Sequence, residues 1–558
     1  MCKRVLVLIA LLAWVITAVG AEPVAAQPIL RGPLATLDIK DAEIEPTRAV
    51  PKGTFTIAQH FALDPTWLDP QDQIVALTQQ HYSYLVHDAL IKTMPQGLMT
   101  YSLAEHAEAA EDFTKVAFRL RQGLKFHDGQ PLTTADVAWT YHNYRGVNAK
   151  LFKDKLDSAR ADGGIELVDD RTIIFHFNSP FLDFLDLYSG ASTGIGWVIP
   201  KHYYEQAGAA GFKERPLGAG PFKFVSQQAG VEMVFEAWDQ YWRKAPGVKT
   251  VIVKGIRDPS SRLAGLQTGA LDLAYGMTGR VLKAVMKDPN LRWDPNFTGP
   301  WWLMFPGYNE PDSPFRDKRV RQAVSLALNR RFLSQQETEG IGPPTGNWIG
   351  PEFGSTLRSP EDLPVPEYDP GQARTLLAAA GHPNGLELEW LVPFPPYYDY
   401  GERVLTDLRA VGIRAKLQTL EGPVFRSKTG QGRKGYEGNR TIVQNIGPRP
   451  GGAKDSIRVY AICASPATFI CEPAIEERWK RHEASIDPEE RDRLVKEIQR
   501  IIIEEYYFVP IYINPFVHAV GPRVLPAGDA PAGEGFHRYW TTAQAPYPYP
   551  WEDWRVKE

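Results

Sequence analysis

The sequence predicts a mixed α/β protein with more than one lobe, and three observations carry that expectation. Residues 369–417 alternate helix, strand, helix and strand, a succession suited to helices layered on a sheet. Lys115–Tyr141 reads as strand, turn and capped helix. The 558 residues exceed what one hydrophobic core supports and correspond to roughly 3 to 4 domain-sized pieces.

From the start of the chain, Lys3 and Arg4 precede the apolar run Val5–Gly20, and Val24-Ala25-Ala26 supplies the small residues of a signal-peptidase site. A leader over residues 1–26 is expected, cleaved after Ala26. Its apolar run is shorter than the ~20 residues of a permanent membrane helix, and Cys2 precedes it, so no lipid-bearing cysteine follows the run. Residues 27–50 mix Pro, Ala, Asp and Glu without periodicity, and a flexible mature N-terminus is expected. Thr54–Ala58 reads as a strand, and the Asp-Pro steps at Asp64 and Asp69 force turns after it. Gln80–Leu90 reads as a helix.

Val116, Phe118 and Leu120 alternate with Lys115, Ala117 and Arg119, the period of a half-buried strand. Asp128-Gly129 supplies a turn. Thr133 with Asp136 forms a capping box, after which Val137, Tyr141 and Tyr144 share a helical face. Ile173, Phe175 and Phe177 lie on one face of a further strand. Gly190-Ala191-Ser192-Thr193-Gly194 matches the hydrolase nucleophile elbow G-x-S-x-G. An elbow needs a helix after its serine, whereas Gly194, Gly196 and an extended Trp197–Pro200 follow here. An exported serine hydrolase using Ser192 therefore stands only as the alternative to a protein without catalysis.

Asp317 caps a helix whose Val320, Ala323, Val324, Ala327 and Leu328 fall on one face. Asp369 caps the next, Pro370 is its first residue, Ala373, Leu376, Leu377 and Ala380 form its buried face, and Gly381 ends it. A strand (Leu386–Val392), a helix (Glu402–Val411) and a strand (Ile413–Leu417) follow. The loop holding Tyr397, Tyr398 and Tyr400 either lines a ligand cleft or covers the sheet.

The formal net charge is −4, and losing Lys3, Arg4 and Glu22 with the leader changes it by one unit. So small a charge on so long a chain argues against a nucleic-acid partner. Cys463 and Cys471 are an even pair in an exported chain, for which a disulfide is expected and two buried free thiols are the alternative. His81 and His87 are too weak a pair to argue a metal, and no metal or cofactor is expected.

From Leu103, the run LAEHAEAAEDFTKVAFRLRQGLKFHDGQPLTTADVAWTY resembles the signature region of the family 5 bacterial extracellular solute-binding proteins. GAGPFKF, AWDQYW, LQTGALDLAYG and PFRDKRVRQ extend the resemblance in the family's order. It implies a two-lobed periplasmic binding protein fold, class II-like with an extra subdomain in the first lobe, and a ligand cleft between lobes. Lobe I would take residues 51–303 with the subdomain at about 82–200, lobe II 304–510 with a hinge near 304, and 511–558 would return to lobe I. It also implies a small-molecule ligand, peptide-like or anionic, an inner-membrane ABC permease with its ATPase as partners, a periplasmic location and a monomer.

By the same resemblance Asp64, Thr66 and Trp67 line the cleft, unless Leu68-Asp69-Pro70 is only a turn. Trp302 faces the cleft or is a core tryptophan, and Tyr512 lies on the return crossing. Peptide-binding members carry an aspartate for the ligand's α-amine near residues 443–456, where this chain has Gly447, Pro448 and Arg449. Arg449 suits a carboxylate or phosphate rather than an ammonium, or is a solvated loop residue.

Overall fold

Strands from distant parts of the sequence assemble into separate sheets, and the order of those strands decides where a ligand can sit. In the computed structural model the described residues are 28–45, 49–72, 76–146, 149–185, 196–350, 357, 363–438, 440–447, 452–525 and 550–557. A seven-stranded sheet runs in the order Phe222–Gln228, Glu232–Ala237, Thr250–Gly255, Thr54–Gln59, Leu273–Met277, Val517–Val520 and Arg292–Asp294. Thr54–Gln59 lies parallel to both its neighbours. A five-stranded sheet runs in the order Ile413–Leu417, Leu386–Val392, Thr441–Ile446, Gly299–Met304 and Phe508–Asn514. Each of these sheets, with its helices, is a lobe.

The chain therefore passes from the first sheet to the second between Asp294 and Gly299, and back between Asn514 and Val517. The strand Gly299–Met304 already belongs to the second sheet, so the crossing lies before 299 rather than near 304. Phe508–Asn514 also lies wholly in the second sheet, which puts the return after 514 rather than at 511. At that return Phe516 is held at φ 23°, a conformation that side chains other than glycine rarely adopt.

Period-two alternation explains why both faces of the second sheet are apolar. Trp301 and Leu303 pack on one side with Val320, Val324, Leu377 and Leu405. Trp302 and Met304 pack on the other with Trp348, Ile457, Ile498 and Phe508. The helix Pro370–Ala379 begins as its sequence requires, with the Asp369 carboxylate accepting from Gln372 N at 2.8 Å. The next helix, Tyr398–Ala410, starts four residues before the expected Glu402, because Asp399 and Tyr400 continue the turn that Tyr397 opens.

A four-stranded antiparallel sheet holds Ala104–Ala109, Lys115–Leu120, Thr172–His176 and Ile165–Leu167. The helix Thr134–Asn143 covers it, with the Thr133 and Asp136 capping box formed and Val137 and Tyr141 buried. Residues 28–45 depart from the flexible N-terminus expected of them. The Glu108 carboxylate accepts from Ile29 N and Leu30 N, both at 2.8 Å, and Lys40 N donates to Met99 O at 2.9 Å. Lacking a periodic pattern, the segment gains order from backbone hydrogen bonds to a sheet it does not resemble in sequence.

His87 gives this half of the molecule an acid sensitivity. Its ring is fully buried and its Nε2 lies 2.9 Å from Leu68 O. Burial lowers its pKa from 6.5 to about 4, against the raising effect of that hydrogen bond. The folded protein thus prefers the neutral ring. The stability this preference confers is complete above pH 6.5 and is lost as the pH falls towards 4, about 3 kcal/mol in all. Urea unfolding at pH 7 and pH 4 should show a smaller difference in His87→Gln than in the natural chain.

Candidate functional site

In open α/β sheets ligands gather beyond the carboxyl ends of parallel strands. In the first lobe those ends are Gly255, closing Thr250–Gly255, Gln59, closing Thr54–Gln59, and Met277, closing Leu273–Met277. His60 follows Gln59 and packs directly on Gly276, where a Cβ would meet His60 Cγ at 3.0 Å. Gly276 also has φ 66°, so a glycine there serves both the backbone turn and the close approach of the ring. Beyond His60 the chain makes a short 3-10 helix, Pro65–Leu68. The Asp64 carboxylate caps it, accepting from Thr66 N at 2.9 Å and Thr66 Oγ1 at 2.8 Å. Asp64 and Thr66 thereby fix the loop that presents Trp67.

From the second lobe Tyr397 reaches this wall. Its ring centroid lies 6.0 Å from that of His60 and 5.1 Å from that of Trp301. A continuous file of rings results. Tyr82 stacks on Trp67 at 5.4 Å, Phe61 meets Trp67 edge-on at 5.5 Å, and His60 lies 4.3 Å from Phe61. Tyr397 carries the file across to Trp301 and Tyr400, and Tyr400 packs on Tyr512 at 5.6 Å. Phe516, from the return crossing, lies 5.4 Å from His60. The file spans both lobes and touches one of their two crossings.

Polar atoms along the file are buried without hydrogen-bond partners among the described residues. They include both amide atoms of Gln59, Nδ1 of His60 and Nε1 of Trp301. Buried polar groups are nearly always bonded, so a cluster of such atoms marks a place where a bound molecule completes the bonding. Burial pushes the His60 ring well below its ordinary 6.5, and Arg262 and His518 add to that. Arg426, on the second-lobe helix Gly422–Gly430, feels the Asp64 charge across the divide, although burial lowers its pKa overall, and its Nε is buried without a partner. Arg257 and Glu421 form an exposed ion pair at 3.6 Å between the same lobes, worth little to stability.

The residues singled out from sequence divide accordingly. Asp64, Thr66, Trp67 and Tyr397 come together where the lobes meet. Trp302 does not join them: it is fully buried in the second lobe, stacked on Phe508 at 5.8 Å, because alternation turns it away from Trp301. Tyr512 is 1% exposed and only ends the ring file, with burial raising its phenol well above 10. Tyr398 turns aside, its hydroxyl donating to Leu420 O at 2.7 Å. Arg449 and Ser192 lie outside the described residues. Cys463 and Cys471 are bonded, S–S 2.04 Å. His81 lies 3.1 Å from the Tyr275 hydroxyl, and among the described residues no group of three His, Cys, Asp or Glu is placed to hold a metal ion. Gln59, His60, Arg262, Trp301, Arg426 and Phe516 were missed. None sits in a motif; position at a strand's carboxyl end was the one signal that could have found Gln59 and His60.

The model of the bacterial extracellular solute-binding proteins, family 5, matches residues 99–438. Heme-binding protein A of Haemophilus influenzae is 26% identical over 473 residues, covering 77% of this chain and 82% of that protein. Oligopeptide-binding protein AppA of Bacillus subtilis is 29% identical over 310 residues, 53% of this chain and 54% of its own length. Among solved structures, MoaA of A. tumefaciens R10 in complex with mannopinic acid superposes with a TM-score of 0.76 at 21% identity, covering 91% of this chain and all of MoaA. With the two-lobed architecture and the family match over most of its length, this chain belongs to the family 5 bacterial extracellular solute-binding proteins.

Proposed function

We propose that the chain captures a small solute, peptide-like or an organic acid, between its two lobes and delivers it to an inner-membrane permease and its ATPase. The aromatic file from Trp67 through His60 and Tyr397 to Trp301 is the observation that supports this reading, because it joins both lobes and holds buried polar atoms without partners. A solute bound there touches both lobes at once, so it favours the closed arrangement by its extra contacts in that state. The chain itself performs no chemistry. It works as an exported monomer whose leader is residues 1–26, with a first lobe of about residues 51–296 and 516–557, including a subdomain at 82–200, and a second lobe between.

Relatives named for heme and for oligopeptides, and a solved neighbour holding mannopinic acid, differ widely in ligand chemistry. The choice of solute is therefore set by this chain's own cleft. A thermal-shift screen of the mature protein against di- to pentapeptides, their N-acetylated forms, small acids and sugar phosphates tests the reading. Binding to the folded state raises the melting temperature by mass action. Stabilisation by at least one class is expected, and a flat response to every class contradicts it.

A further inference from the structure

Among the described residues the titratable groups acting on His60 are the Arg262 guanidinium and the buried His518 imidazole, with no carboxylate among them. The rings of Tyr397, Phe61 and Phe516 also pack against it. Arg262 is only 2% exposed. Its Nη1 donates to Ile256 O at 2.7 Å and Arg257 O at 2.8 Å, and its Nη2 donates to Gly276 O at 2.9 Å. Its Nε is buried and has no partner among the described residues. Gly276 thus touches both groups, its carbonyl bound by the guanidinium and its α-carbon covered by the imidazole. The acidic groups acting on Arg262 are the Tyr397 phenol and Asp258, an exposed residue whose carboxylate accepts from Ser261 N at 2.6 Å as a helix cap.

The hydrogen bonds of this buried guanidinium go only to carbonyls, and its one carboxylate influence is the exposed Asp258, so its charge is poorly compensated, which is costly in a buried place. A ligand ammonium brought to this wall would add a like charge. A carboxylate would supply the missing acceptor for Arg262 Nε and a counter-charge for the guanidinium, and could also accept from an N–H of the neutral His60 ring, in charge-assisted hydrogen bonds of the strong kind.

We infer that His60 and Arg262 form an anion subsite on the first-lobe wall, and that the solute is an organic acid bound through its carboxylate. Peptides qualify when they offer a carboxylate and no free amine to this wall. The inference rests on the solute-binding reading above and assigns that site its ligand class.

The test compares matched pairs, N-acetyl dipeptides and sugar acids each beside its primary carboxamide, by thermal shift and then titration calorimetry. The natural chain, His60→Gln and His60→Glu are measured together. The acid members should stabilise the natural chain and their amides should not. The dissociation constant of the best acid should rise at least tenfold in His60→Gln and further in His60→Glu. Amides that bind as well as acids, or an acid preference that survives in His60→Glu, overturn the anion subsite while leaving a solute-binding cleft in place. No shift with acids, amides or free peptides overturns the solute-binding reading as well. If neither variant shows a folding transition without ligand, the acid and amide comparison on the natural chain decides alone.

Discussion

Trp302→Ala is expected to lower the unfolding free energy by about 3–5 kcal/mol, the cost of emptying a fully buried aromatic site. The ring is edge-on to Trp348 at 5.6 Å and to Tyr460 at 6.1 Å, and it stacks on Phe508 at 5.8 Å. These neighbours belong to the strand Phe508–Asn514, the helix Gly452–Tyr460 and the segment around Trp348, so collapse into the void would have to move three elements. Ligand affinity of the fraction still folded should hardly change, since Trp301 and not Trp302 joins the ring file. Gly447 reports on the same site from below, where a Cβ would overlap the outer edge of the Trp302 ring. Gly447→Ala should cost about 1–3 kcal/mol by overpacking, and Trp302→Phe should recover part of that loss in the double variant. Urea unfolding of the four proteins checks both statements, and additive losses would show that the alanine does not meet the ring.

Asp183→Asn is expected to be the most damaging single polar change. Asp183 reaches from the four-stranded subdomain to the second lobe, where Lys454 Nζ and Arg491 Nη2 each donate to its Oδ1 at 2.8 Å. Its side chain is 15% exposed, and those of the two cations 23% and 10%. Burial would raise its pKa, but Lys454 and Arg491 together outweigh that and hold the carboxyl far below the usual range. A carboxylate so depressed adds stability that is fully present above its unfolded pKa near 4 and is lost as the pH falls below that. Removing it leaves two cations facing each other in a poorly solvated place, beside a His482 that burial already pushes down to about 4. Breaking such a buried pair costs about 3–5 kcal/mol, less to the extent that water reaches Lys454. Lowered thermal stability at pH 7, together with a smaller loss than the natural chain shows between pH 5 and pH 3, is the expected pattern. An unchanged melting temperature would mean that the subdomain does not depend on this bridge.

What could be read from sequence follows from how local each signal is. The helix at Pro370 and the capped helix at Thr134 were legible because cap, first turn and apolar face lie within one stretch of chain. The crossing between sheets was misplaced by several residues because WWLMFPGY shows where a strand is but not which sheet it joins. The N-terminal arm was read as loose for the same reason, since its order comes from Glu108, nearly eighty residues away. At the site, Trp67 was indicated by the family resemblance and Tyr397 by its aromatic loop. His60, Arg262 and Arg426 were not, because their meaning arises only when two lobes and three strand ends are brought together. Trp302 and Trp301 show the limit most sharply: adjacent tryptophans face opposite sides of one strand, and only the register of the sheet tells which of them meets Tyr397.

Under the proposed function one solute is held by both lobes at once. Titration calorimetry of the tightest compound from the thermal-shift screen, on the natural chain, Trp67→Ala from the first lobe and Tyr397→Ala from the second, tests it most directly. Each variant, still folded, is expected to bind at least tenfold more weakly. Undiminished affinity in either one would place the solute on a single lobe and contradict it.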